Sequence, residues 1–181
     1  MADVSVRTAT EADAQQLGRI QVDTWRLAYA QVLPEPVLSG LTPDLAAGQW
    51  ASAITAPPSA QHHVLVALEQ QWLVGFAASG PVVDVEPDDP PADTTSELAL
   101  VLVEPRWGRR GHGSRLLAAT VDHARADGMT RGVCWIPEQD EVTREFLVSA
   151  GWAPDGLARA LDTGAGELRQ IRLQTSFVDE G

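Results

Sequence analysis

The chain has 181 residues, 44% of them hydrophobic and 21% charged, which is the composition of an ordinary globular protein with the length of one domain. Its formal net charge of −12 at pH 7 disfavours binding to nucleic acids and to anionic membranes, because both are polyanions. The single cysteine cannot form an intramolecular disulfide framework, and no apolar run reaches the ~18 residues of a membrane helix. Residues 1–3 do not begin a signal peptide. We therefore expect a single cytoplasmic domain over residues 1–181.

The first part of the chain predicts a short strand followed by helices. The strand alternates in polarity, and apolar residues recur at helical spacing from Leu17 onward. Thr10 and Thr42 are suited to cap the first and third helices, and Pro34 ends the first. The predicted elements are a strand at 4–7 and helices at 11–30, 36–41 and 43–53.

The middle of the chain predicts a β-hairpin, a loop and a buried strand. Strand-like segments at 63–68 and 72–78 are separated by Glu69-Gln70-Gln71, as in a hairpin. His62 and His63 would face opposite sides of such a strand, so we expect no metal site there. Residues 81–95 are rich in proline and acids and predict a mobile loop rather than a domain linker, because periodic segments resume on both sides. The continuous apolar run at 98–103 predicts a buried strand.

The last part of the chain alternates between helices and strands. Leu116, Leu117 and Ala124 share one face of a predicted helix that ends before Gly128. Cys134 lies in the apolar strand that follows, where we expect an inert core thiol. The predicted elements are helices at 113–127 and 139–150 and strands at 132–136 and 167–175.

The segment 106–115 concentrates positive charge in an acidic chain. It holds four arginines and three glycines, whereas the interval between Arg26 and Arg106 contains ten acids and no lysine or arginine. A glycine-rich, positive turn at the start of a helix is an anion site, because bare amides and the helix dipole both favour negative charge. The turn is not a P-loop, since it lacks Gly-Lys-Ser/Thr, and Leu116 stands where a Rossmann fingerprint needs its third glycine. We therefore expect a phosphate-bearing cofactor here.

Three segments resemble the GNAT superfamily of acyl-CoA-dependent N-acyltransferases. ALVLVEPRWGRRGHGSRLL at 99–117 resembles the family's pyrophosphate-binding segment, written Arg/Gln-x-x-Gly-x-Gly/Ala. FLVSAGWAPDG at 146–156 resembles the family's helix that ends in glycine followed by an aromatic residue. Trp25-Arg26-Leu27-Ala28-Tyr29, followed by Leu33-Pro34, resembles a common entry helix of the family.

This resemblance implies an α/β (α+β) fold, with a mixed sheet of six or seven strands and helices on both faces. Two central parallel strands would splay to admit the pantetheine arm of acetyl-CoA, the implied co-substrate. Glycines in the turn let the backbone approach a diphosphate, and arginines and a hydroxyl there add hydrogen bonds. The implied cofactor-binding residues are Leu102, Val103, Arg109, Arg110, Gly111, His112, Gly113, Ser114 and Asp140.

The implied reaction is transfer of an acetyl group to a primary amine by direct attack in a ternary complex. Glu97 resembles the carboxylate that many members use as the base, although an ordinary strand-edge acid remains the alternative. Leu147 stands where many members carry the tyrosine that protonates the leaving thiolate, and Asp140 stands where many carry asparagine. Tyr29 is the one tyrosine of the chain. It either packs at a helix end or has a role in the site, as a wall of the acceptor site or as a proton donor. Gly108 replaces the first motif residue, which contributes largely through its backbone.

The acids between Arg26 and Arg106 suggest that the acceptor is a cationic small molecule or a basic peptide end, unless they are merely solvated loop charges. Family members are often dimers, so a homodimer is possible. Two other functions stay open. One is a CoA-binding regulator that has lost catalysis, which Leu147 and Asp140 favour. The other is an acidic interaction module that binds a basic protein.

Overall fold

The computed structural model describes residues 4–178. Residues 1–3, which were compared above with a signal peptide, and residues 179–181 lie outside it. The strands are β1 (Val4–Thr8), β2 (His63–Glu69), β3 (Trp72–Pro81), β4 (Thr95–Val103), β5 (Arg131–Pro137), β6 (Ala153–Asp162) and β7 (Glu167–Ser176). The helices are α1 (Ala14–Ala28), α2 (Glu35–Gly40), α3 (Pro43–Thr55), α4 (His112–Ala126) and α5 (Glu141–Ser149). Among these helices none combines the length and apolar character that a membrane crossing requires.

The seven strands form one mixed sheet in the order β1-β2-β3-β4-β5-β7-β6. All neighbours are antiparallel except β4 and β5, which are parallel and pair over only three residues, Thr95–Glu97 against Arg131–Val133. Beyond Glu97 the two strands no longer pair, so a wedge opens in the middle of the sheet. This confirms the predicted mixed sheet and its splayed central strands.

Helices cover both faces of the sheet, as predicted. On one face α1 packs Leu17 and Ile20 against Val66 and Phe76, and α3 packs Trp50 and Ile54 against the same cluster. On the other face α4 packs Leu116, together with further core residues, against β2, β3 and β4. The register between β3 and β4 slips beside Ala78 and Ser79, which is a β-bulge. Because of the bulge, Leu98 joins one core cluster whereas Leu100 and Leu102 join the other.

Side-chain caps set where the helices begin. The Asp13 carboxylate accepts a hydrogen bond from the Thr10 amide at 2.7 Å, and the first predicted helix therefore opens with a 3-10 turn at Glu11–Asp13 before α1. Thr42 caps α3 as predicted, accepting from the Leu45 amide at 3.2 Å. The helix predicted from residue 139 begins two residues later, because Asp140 is its N-cap.

Two predicted segments need correction, and one strand was not predicted. The edge strand β6 was not predicted, because most of its residues are exposed and its polarity does not alternate. The segment 81–95 is not a free loop: β3 and β4 extend into it, and Asp89 is held by Arg131 and Arg172. The strand predicted at 98–103 is fully buried only at Leu98, because β5 diverges from the rest of β4.

Candidate functional site

A cleft of about 740 Å³ lies where four segments converge. These segments are the C-terminal end of α1, the last residues of β4, the turn before α4, and the N-terminal end of α5. The residues that line the cleft are Thr24, Trp25, Ala28, Tyr29, Val32, Val101, Leu102, Val103, Trp107, Gly108, Arg109, Gly111, His112, Gly113, Ser114, Gln139, Asp140, Glu141, Val142, Thr143 and Phe146.

A row of unbonded backbone amides faces this cleft at the start of α4. Gly111 is the N-cap, with a left-handed φ of 81°, and Arg109 is also left-handed, with φ 60°. Within residues 4–178, none of the amides at 109–114 donates a hydrogen bond to a protein acceptor. Free amides and the positive end of the helix dipole together favour an anion. The turn therefore suits a bound anion such as a diphosphate.

The glycines keep this turn accessible. A Cβ at Gly111 would lie 2.9 Å from Arg115 Nη1, in addition to the strain of its positive φ. A Cβ at Gly113 would lie 3.4 Å from the Phe146 ring, which itself lines the cleft. The left-handed φ therefore favours glycine at 111, whereas a Cβ at 113 would make ordinary contact with Phe146 and take up space in the cleft.

Two predicted cofactor-binding residues, Arg110 and His112, direct their side chains to Glu69, although His112 still counts among the residues that line the cleft. Arg110 Nη1 donates to Glu69 Oε1 at 2.9 Å, its guanidinium lies 5.0 Å from the Trp107 ring centroid, and it does not line the cleft. The fully buried His112 ring bonds Glu69 Oε2 through Nε2 at 2.8 Å. These side chains therefore hold the turn against the end of β2. Arg109 and Ser114 line the cleft, and their cofactor-binding role stays a prediction. The Glu69 anchor was missed because nothing local to it in the sequence indicates this contact.

The cleft brings together Tyr29 and Asp140, two site residues predicted for different reasons. The Tyr29 hydroxyl donates to Asp140 Oδ2 at 2.7 Å, while Asp140 Oδ1 accepts from the Thr143 amide at 3.0 Å. Burial, followed by the charge and hydrogen bond of Asp140, raises the pKa of Tyr29 well above its usual range. A tyrosine whose proton is engaged in this way is a poor proton donor, so the geometry supports Tyr29 as a wall of the cleft.

Glu97 lies at the point where β4 and β5 separate, outside the lining of the cleft. It is half-buried and forms the last β4–β5 pair with Val133. Burial raises the pKa of Glu97, the charge of Arg159 lowers it in part, and Asp84 raises it further. A carboxylate with a raised pKa at the closed end of the wedge, where the two strands separate, is a better proton acceptor than an ordinary surface carboxylate.

The remaining predicted positions divide between the cleft and the core. Leu102 and Val103 line the cleft, on the part of β4 that β5 leaves unpaired. Leu147 is completely buried in the core, so its position gives no access to a leaving thiolate in this structure. Trp25 and Phe146 also line the cleft, although the sequence analysis placed them only in family-like segments and not in the site. Trp25 stands four residues before Tyr29, which places these two side chains on one helix face, so the spacing was an available signal.

Comparisons with known proteins agree with this geometry. The model of the acetyltransferase (GNAT) family matches residues 24–152. The chain is 29% identical over 139 residues to YuaI of Bacillus subtilis (strain 168), which carries the name "uncharacterized N-acetyltransferase", covering 76% of this chain and 73% of YuaI. The fold is similar to PaiA N-acetyltransferase from Thermoplasma acidophilum, solved with coenzyme A, at a TM-score of 0.72 and 13% identity over 96% of this chain and 99% of that one.

A second solved structure, YncA from Salmonella typhimurium with acetyl-CoA, matches at a TM-score of 0.68 and 19% identity, over 98% of this chain and 95% of that one. These structural likenesses show the fold, and the family model, which spans more than two thirds of the chain, shows the family. The protein therefore belongs to the acetyltransferase (GNAT) family, whose members are acetyl-CoA-dependent N-acetyltransferases.

Proposed function

We propose that this protein moves an acetyl group from acetyl-CoA to the primary amine of a cationic small molecule or a basic peptide end. The observation that carries the proposal is the row of unbonded amides at 109–114, which lines a cleft beside an open wedge between two parallel strands. The amides suit the diphosphate, and the unpaired edge of β4 offers backbone groups to an extended arm. Arg109, Ser114, Leu102, Val103 and Asp140 would line the path of the cofactor.

The proposed mechanism is direct attack in a ternary complex, with Glu97 as the base. The amine nitrogen bonds to the thioester carbonyl carbon, the carbon–sulfur bond breaks, and one amine proton passes to Glu97, directly or through water. Since a thiol pKa is about 8.5, sulfur can leave as a thiolate without a strong acid. The chain therefore needs no proton donor at Tyr29 or Leu147 for turnover, and the proton at sulfur can come from water.

Replacing Glu97 tests this role. Glu97→Gln should lower kcat by about 10²–10⁴-fold, the usual contribution of a general base. In the wild type, kcat/KM should fall as the pH drops through the raised pKa of Glu97, because only the carboxylate accepts a proton. The control is Glu138→Gln, an exposed carboxylate paired with Arg169. A Glu97→Gln enzyme with normal kcat and the same acidic limb would refute the assignment.

The acidic character of the acceptor side supports a cationic substrate, although fewer acids are free than the sequence suggests. Three of the ten, Glu69, Asp89 and Glu104, are ion-paired with arginines. Asp84 and other acids of the segment 82–91 stay exposed and can attract an ammonium group. We therefore expect the KM of the amine to rise with ionic strength, because salt screens exposed charges.

Release of free thiol from acetyl-CoA, measured across polyamines, aminoglycosides, amino acids and short peptides, tests the proposed function. Turnover confined to cationic acceptors is the expected result. Turnover of neutral amines alone would refute the cationic preference. Tight binding of acetyl-CoA with no turnover of any amine would refute the transferase proposal and favour a CoA-binding regulator. No response to CoA would leave the acidic interaction module as the better explanation.

A further inference from the structure

One face of the sheet carries a row of polar and aromatic side chains that leads away from Glu97. Directly opposed residues of neighbouring strands share a face, as do every second residues along a strand. Glu97 is opposite Val133, and Trp135 follows on the same side of β5. Arg159 of β6 is opposite Gln170 of β7, which is itself opposite Pro137 of β5, two residues beyond Trp135. Arg159 and Trp135 therefore lie on the face of Glu97, on the far side of the wedge.

Arg159 is held in place but not neutralised. Its guanidinium lies 4.3 Å from the centroid of the Trp135 ring, and its Nε donates to Gln170 Oε1 at 2.7 Å. Two other arginines of this face, Arg131 and Arg172, are both paired with Asp89. Among residues 4–178, by contrast, no carboxylate lies within 4.0 Å of Arg159. The guanidinium is therefore held in a fixed orientation, and its two terminal nitrogens can donate two parallel hydrogen bonds to one carboxylate.

Opposite charges stand at the two ends of this row. The charges of Glu97 and Asp84 both act on Arg159, so these three groups lie within electrostatic range of one another. Asp89 anchors the segment that carries Asp84 to this face through its bonds to Arg172, at 2.5 Å and 2.7 Å. A ligand bound along the row would meet carboxylates near the wedge and a guanidinium beyond it. A simple polyamine can pair only with the carboxylates, whereas an amino acid can pair with the carboxylates through its amine and with the guanidinium through its carboxylate.

We propose that Arg159 binds a carboxylate of the acceptor, and that the acceptor is an amino acid or similar molecule bearing both an amine and a carboxylate. The inference rests on the proposed function, since it places the amine at Glu97. Within the cationic acceptors considered above, it selects basic amino acids over polyamines and aminoglycosides. Trp135 and Gln170 act as positioning residues, because they hold the guanidinium rather than touch the reacting atoms.

Arginine and agmatine form the test pair, because agmatine is arginine without its carboxylate and keeps the same primary amine. The wild type should show a higher kcat/KM for arginine than for agmatine. Arg159→Gln should lower kcat/KM for arginine by about tenfold, as expected for the loss of a hydrogen bond between charged groups, and leave agmatine nearly unchanged. The control is Arg169→Gln. Arg169 is adjacent to Gln170 in the sequence, but its side chain lies on the opposite face of the sheet and is paired with Glu138.

Several results would overturn the inference. One is a wild type that does not prefer arginine; another is an Arg159→Gln variant that loses the same factor on both substrates. If no amine is turned over, calorimetric titration of arginine and agmatine into the CoA-bound protein separates the two proposals. Arginine binding that weakens about tenfold in Arg159→Gln would support the carboxylate site even without catalysis. Arginine that does not bind, or binds equally to both proteins, would refute it.

Discussion

Glu69 links the end of β2 to the turn that begins α4, and its removal gives a sharp test of how that turn is held. Its carboxylate accepts from Arg110 at 2.9 Å and from His112 at 2.8 Å, and its side chain is only 12% exposed. The His112 ring is fully buried, and its Nδ1 already lacks a hydrogen-bond partner in the described structure. Glu69→Ala would therefore leave both ring nitrogens of a buried histidine without a protein partner.

The expected cost comes almost entirely from His112. A buried polar group left unsatisfied costs about 1–3 kcal/mol, whereas the bond to Arg110, a side chain that is 54% exposed, contributes at most about 1 kcal/mol after solvent screening. We therefore expect Glu69→Ala to lose about 2 kcal/mol of unfolding free energy. For a chain of this length, that lowers Tm by roughly 4–8 °C.

Thermal unfolding followed by circular dichroism measures this loss, and calorimetric titration with CoA measures its effect on the cleft. Because Arg110 and His112 flank Gly111, we expect CoA binding to weaken several-fold in Glu69→Ala. Glu69→Gln keeps an acceptor for His112 Nε2 and should recover much of both losses. Glu138→Ala, which breaks an exposed pair with Arg169, is the control and should change neither quantity appreciably. A Glu69→Ala protein with wild-type Tm and CoA affinity would refute the anchoring role.

Three further predictions address the turn, the anchored segment and the core. Gly111→Ala and Gly128→Ala both strain a left-handed position, but of the two only Gly111 lies at the cleft. Titration with CoA should therefore show a marked loss of affinity for Gly111→Ala alone. Equal losses in the two variants would contradict a role for the turn in binding. Hydrogen bonding by Arg172 holds the pKa of Asp89 well below its usual range, so Asp89→Asn should cost about 3 kcal/mol at pH 7 in urea unfolding. That difference should shrink as the pH falls below about 4, where the unfolded carboxyl is protonated; a pH-independent difference would argue against an ionic origin. Burial raises the pKa of Cys134 to about 12, so iodoacetamide at pH 8 should leave the folded protein unmodified, and rapid labelling would show that the core opens.

Features encoded within a short stretch of sequence were predictable. Thr42 caps α3 through an amide three residues away, and the Gly111 turn is set by the conformational freedom of glycine and by the adjacent helix start. Hydrophobic periodicity located most of the helices and strands to within a few residues, and the motif at 99–117 indicated the family. The features that favour an anion at this turn are therefore local properties of the chain.

Only the tertiary structure decided which distant residues meet. Tyr29 reaches Asp140, and Glu69 reaches His112, because sheet order and strand register bring together segments far apart in the chain. Strand β6 lies at the sheet edge, where exposure removes the alternation that makes a strand recognisable, so the position of Arg159 over Trp135 had no signal in the sequence. Amphipathic periodicity shows that a face is buried, but it does not identify the partner against which that face packs. The sequence by itself thus determined the fold class and the turn, whereas packing decided how the turn is anchored and which charges face the wedge.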